Sequence, residues 1–137
     1  MTEHESVVLD FWNGRPSIWL STNDGDPFLH WMIIGHNETY DLWMHARLSW
    51  AVADDMVSNP PVSIDDALTR MPGADAQFVM LNAGRPFLQL NWTVPNNPKL
   101  DEGLRLIVAR LQKMARTTGA DVHLKDVQSD VESLLVH

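Results

Sequence analysis

The sequence predicts an α+β fold, a single domain over residues 1–137 with a mainly antiparallel sheet of about five to six strands and helices packed on one face. Three observations predict it. Short runs rich in β-branched and aromatic residues are joined by turn dipeptides rather than by helices, which favours hairpins over a doubly wound parallel sheet. Later segments carry apolar residues three and four apart, the period of one helix face. The chain's 137 residues, 45% hydrophobic and 20% charged, suffice to bury about two thirds of the unfolded surface without disulfides or structural metal.

The elements follow in order. Ser6 to Trp12 reads as a strand that meets Asn13-Gly14, a pair suited to the positive φ angles of a type I′ turn, and Ser17 to Ser21 returns beside it. Ser21 to Pro27 is turn chemistry throughout, and Phe28 to Ile34 is a near-continuous apolar strand. Gly35-His36-Asn37-Glu38 is placed as a turn leading to a strand over Thr39 to Met44. From about His45 the spacing of Ala46, Trp50, Ala53 and Val57 predicts a helix, which Pro60-Pro61 ends by Ser58. Ser63, three residues before Asp66, opens a short helix through about Arg70. Gln77 to Leu81 and Pro86 to Val94 flank Asn82-Ala83-Gly84 as a second hairpin.

Asn97-Pro98 is the predicted start of the longest helix, with Asn97 as N-cap. Leu100, Leu104, Ile107, Val108, Leu111, Met114 and Ala115 form its apolar stripe. Asp101 and Glu102 stand near its positive end, Lys113 and Arg116 near its negative end, and Gly119 terminates it. A short extension from Val122 to Lys125 leads to a last helix marked by Val127, Val131, Leu134 and Leu135.

Charge narrows the partners. The net charge is −8, and residues 1–98 hold twelve acids against four arginines, while the remainder holds six of each sign. Such a surface repels nucleic-acid phosphate and anionic lipid, so neither nucleic acid nor membrane is expected as a partner, and a protein with a basic surface is. A homodimer is a further option. No apolar run reaches the roughly 18 residues of a membrane span. Met1 to Asp10 is acidic and lacks an export pattern, which places the expectation in the cytoplasm.

Several chemistries lack their residues. With no cysteine, thiolate zinc sites, iron–sulfur clusters and cysteine nucleophiles are excluded. There is no phosphate-binding glycine loop, no dinucleotide fingerprint and no G-x-S-x-G elbow, so no cofactor is expected. Asn23-Asp24-Gly25-Asp26 lacks the distal glutamate of a calcium loop and reads as a solvated turn.

Three groups remain as candidate sites. Five of six tryptophans fall in the first 50 residues. Core packing absorbs indoles readily, but Trp12, Trp19, Trp31 and Trp43 also suit a contact surface, where tryptophan is enriched among hot spots. Asp54, Asp55, Asp65 and Asp66 flank the Pro60-Pro61 turn and, if brought together, offer four carboxylates to an arginine-rich partner. His30, His36 and His45, with Asp41, suit acid–base work if residues 28–45 form a hairpin, although their spacing matches no zinc motif and no metal is expected.

The order of elements is similar to that of small acidic α+β chaperones of secretion systems and of some immunity proteins, a likeness of architecture carried by no motif. The sequence therefore favours a non-catalytic protein-binding module, of adaptor, chaperone, inhibitor or immunity type, acting through an acidic, tryptophan-bearing surface. The alternative is a small enzyme or ligand-binding protein with a tryptophan-lined pocket and histidine acid–base groups. A deep apolar cleft with converging histidines distinguishes the second from the first.

Overall fold

A computed structural model describes residues 5–35, 40–118 and 122–135. The strands are β1 (Val7–Trp12), β2 (Arg15–Asn23), β3 (Asp26–Gly35), β4 (Tyr40–Arg47), β5 (Asp75–Asn82) and β6 (Arg85–Thr93). They form one six-stranded antiparallel sheet in sequence order. Helices α1 (Trp50–Ser58) and α2 (Ile64–Thr69) lie between β4 and β5, and α3 (Leu100–Thr118) and α4 (Val122–Ser133) follow the sheet. The α+β class and the antiparallel sheet are as the sequence predicts. No described helix is long and apolar enough to cross a membrane.

Three hairpins share one turn chemistry. Asn13-Gly14, Asp24-Gly25 and Ala83-Gly84 all have positive φ at both positions, between 50° and 82°, as a type I′ turn requires. Asparagine and aspartate tolerate that region, whereas Ala83 does so at a cost of about 1–2 kcal/mol.

Four boundaries differ from the sequence reading. The turn expected over Ser21 to Pro27 shrinks to Asp24-Gly25, because Ser21, Thr22 and Asn23 pair with Phe28, Pro27 and Asp26. His45 and Ala46 belong to β4 rather than to a helix. They hydrogen-bond into strands on both sides, opposite His30 and Leu29 and opposite Gln77 and Ala76, so the sheet overrides their helical spacing. Helix α1 begins only where the Ser49 hydroxyl accepts from the Val52 amide at 3.2 Å. Helix α3 begins at Leu100, two residues past the start expected at Asn97-Pro98. Helix α4 already includes Val122 to Lys125. His36, Asn37, Glu38 and the Gly119 stop lie outside the described residues.

The chain divides into two compact units, residues 1–97 and 98–137. In the first, alternate residues of the sheet turn inward, and Leu20, Leu29, Leu42, Met44, Phe78 and Met80 are fully buried. Helix α1 contributes Ala53 and Met56, and α2 contributes Ala67 and Leu68. In the second unit α3 and α4 pack on each other. Leu104, Ile107 and Leu111 of α3 and Leu124, Val127 and Val131 of α4 are buried.

Truncating Leu104, Ile107 or Leu111 to alanine is expected to cost about 2–5 kcal/mol each in urea unfolding, through the cavity left behind. Variants that unfold at the parent's midpoint would show that this stripe faces solvent.

Candidate functional site

The site is built by the two-residue period of the strands. Because Leu20, Leu29, Leu42 and Phe78 face inward, their neighbours Trp19, His30, Trp43 and Gln77 face outward. Register aligns a row across five strands, with Trp19 opposite His30, His30 opposite His45, His45 opposite Gln77 and Gln77 opposite Asn91, while Trp43 lies two residues from His45 along β4.

Within the row two short hydrogen bonds link three side chains. His30 Nε2 lies 2.7 Å from Ser21 Oγ, and His30 Nδ1 lies 2.7 Å from His45 Nδ1. Both rings are held by indoles. Trp19 stacks on His30 with centroids 3.9 Å apart and an interplanar angle of 24°, and Trp43 lies nearly parallel to His45 at 6.0 Å.

Burial, reinforced by the neighbouring His45, lowers the His30 pKa from 6.5 to about 4. Burial also lowers that of His45. Both rings are therefore neutral at pH 7, and one Nδ1 carries the hydrogen that the other accepts. The neutral chain has two proton arrangements. In one, Ser21 donates to His30, and His30 donates to His45. In the other, His45 donates to His30, and His30 donates to Ser21.

Asp41, grouped with the histidines on sequence grounds, is instead committed to Arg15 through two hydrogen bonds of 2.8 and 3.0 Å. Arg15 also lies 5.3 Å from the Trp12 ring. Gly35 makes this cluster sterically feasible, since a Cβ there would stand 2.8 Å from the Trp12 indole and closer still to Met32 Sδ. His36 lies outside the described residues.

The acidic segment is only partly brought together. Asp55 and Asp66 both bind the Arg70 guanidinium, at 3.2 and 2.8 Å. The Val62 amide and the Arg70 side chain hold the Asp66 carboxyl below its ordinary pKa. Two of the four carboxylates are thus engaged by an arginine of their own chain. Asp54 and Asp65 stand on α1 and α2.

The tryptophans separate by face. Trp31, 9% exposed, is turned inward with the core, and Trp92 is buried at 8%. Trp19 and Trp43 are half-buried on the outer face, as is Trp12 beside Gly35. Next to the histidine row lies a shallow depression of about 330 Å³ lined by Phe28, His45, Arg47, Asp75, Gln77 and Asn91. Among the described residues no group of three or more histidine, aspartate or glutamate side chains converges as a metal site would.

Ser21 and Gln77 carry no sequence mark as site residues, and Ser21 stands where the expected second strand meets turn composition. The usable signal was its distance from His30 across the tight Asp24-Gly25 hairpin. No family model, no curated protein and no solved structure matches the chain.

The lowered histidine pKa values set a direction for stability. The unfolded chain binds protons at His30 near pH 6.5, whereas the fold resists them down to about 4. Stability from this site is complete above 6.5, declines as pH falls across that window and is lost below about 4. In urea unfolding followed from pH 7 to pH 4, His30→Asn should flatten this decline. Equal slopes in variant and parent would remove the histidine pair as its cause.

Proposed function

We propose that the protein is a binding module that docks a protein partner of basic surface on the outer face of its sheet, with Trp19 and Trp43 as the anchoring side chains. The observation that carries this reading is the shape and composition of that face. Half-buried indoles and two neutral imidazoles lie side by side on a sheet face whose nearest depression is shallow. Indoles in such a setting supply apolar area together with one N–H donor and are enriched among hot spots.

Charge supports the choice of partner. Of the four arginines in residues 1–98, Arg15 pairs with Asp41, Arg47 with Asp26, and Arg70 with Asp55 and Asp66. These three bases are held by the chain's own carboxylates, and the acidic excess of that region, set by its composition, is what an approaching partner meets. Opposite charge of this kind accelerates encounter and rejects acidic competitors. The carboxylates of α1 and α2 add to this acidic field, which acts on the approach of a partner at long range.

A photo-crosslinking residue placed at Gln77, with a control at Val62, which is 91% exposed on another segment, tests the reading in the native host. The Gln77 variant should capture a basic protein that the Val62 variant does not. With that protein purified, Trp19→Ala combined with Trp43→Ala should weaken binding by at least about 30-fold, the effect of losing a hot spot of about 2 kcal/mol. Binding that is unchanged in the double variant, or capture that is equal from both positions, would contradict it.

A further inference from the structure

We propose that Ser21 is an activated nucleophile that accepts an acyl group from uncharged esters, with His30 as its base and His45 positioning that base. This goes beyond the docking reading and stands or falls independently of it. The mark of an activated hydroxyl is a base within hydrogen-bond reach and a third group that orients the base. Ser21 Oγ to His30 Nε2 and His30 Nδ1 to His45 Nδ1 meet both conditions at 2.7 Å each. The stacked Trp19 and the parallel Trp43 restrict both rings to that geometry, which reduces the ordering that reaction requires.

The reactive arrangement is the one in which Ser21 donates to His30 and His30 donates to His45. As Oγ attacks the ester carbonyl, the Oγ–C bond forms and the hydroxyl proton passes to His30 Nε2. The positive charge arising on His30 is stabilised by its retained Nδ1–H hydrogen bond to the neutral His45. The tetrahedral adduct then breaks its bond to the leaving oxygen, which takes the proton from Nε2. The products are an acyl-serine and an alcohol, with no change in oxidation state and no other reactant.

The surroundings define the ester. Phe28 stands directly across from Ser21 in the register, and Trp19 covers His30, so the acyl or aryl group met there is apolar. The net charge of −8 disfavours anionic donors. The groups arranged around His30 are Trp19 and Ser21 from β2 and His45 from β4. The nearby charges are Arg47, which lies over the Phe28 ring and pairs with Asp26, and Asp75 beside the depression at His45.

The experiment treats the full folded chain with diisopropyl fluorophosphate, in which Oγ–P forms, P–F breaks, fluoride leaves and the proton passes through His30 to water. The modified residue is then located by peptide mass spectrometry. Ser21 should be labelled in preference to Ser17, Ser49 and Ser63, and Ser21→Ala should remove the label. Since His30 is already neutral well below pH 7, the rate should be level between about pH 5 and 8 and fall as pH approaches 4. An unassisted hydroxyl would instead quicken about tenfold per pH unit as its alkoxide fraction grows. His30→Asn should slow labelling by about 100-fold or more, and His45→Asn by less. Absence of label at Ser21, or an unchanged rate in a folded His30→Asn protein, would overturn the proposal. If that variant does not fold, the parent's pH profile decides, and a rate that climbs with hydroxide overturns it.

Discussion

The antiparallel register of the sheet governs both faces at once. Leu29 and Leu42 are fully buried on the inner side, and Trp31 is nearly so. A slip of β3 by one residue against β4 would turn Leu29 and Trp31 outward and drive His30 into the apolar layer without its partners. The core thus fixes the imidazole pair without touching it. The irregularity between Met32 and Ile34 extends the same control toward the end of β3. It restores Ile34 to a position opposite Leu42 and sets Gly35 opposite Asp41, where a residue without a side chain lets Trp12 lie close.

Electrostatics is organised in two tiers. Inside the first unit, arginines are consumed in pairing, and the Arg15 and Arg70 clusters tie together segments distant in sequence. Arg15 reaches from β2 to β4, and Arg70 gathers the end of α1, the Asn59 carbonyl and Asp66 of α2. Ion pairs of this exposure contribute little to stability individually. Pairing removes one charge of each sign, so the net acidic excess of residues 1–98 is set by composition and is unchanged by these contacts. The outer sheet face is neutral at its two histidines.

Much of the fold was legible because turn chemistry and periodicity agreed. Asn13-Gly14 and Asn82-Ala83-Gly84 marked hairpins that form, Ser63 marked a cap that forms, and the Leu104, Ile107 and Leu111 stripe is buried. Legibility failed where local pattern and pairing disagree. Ser21, Thr22 and Asn23 have turn composition, yet neighbouring β3 recruits them into β2. His45 and Ala46 open the helical spacing that Trp50 continues, yet they lie in β4, which is enclosed by strands on both sides, and only Trp50 onward is helical. The site suffered from the same errors. Converging histidines were readable from the expected hairpin, and His30 and His45 do converge, but Ser21 stands at the junction of strand and turn, and its approach to His30 follows only from the register across Asp24-Gly25. Asp41 carries no sequence mark of its commitment to Arg15, which lies 26 residues away.

The most direct measurement of this register-imposed pairing is the ring nitrogen spectrum of the two histidines by long-range ¹H–¹⁵N NMR at pH 7. The account predicts two neutral rings, one bearing its hydrogen on Nδ1, and a through-hydrogen-bond coupling between the Nδ1 nuclei of His30 and His45. Two uncoupled rings, both bearing their hydrogen on Nε2 and titrating near the ordinary 6.5, would contradict it.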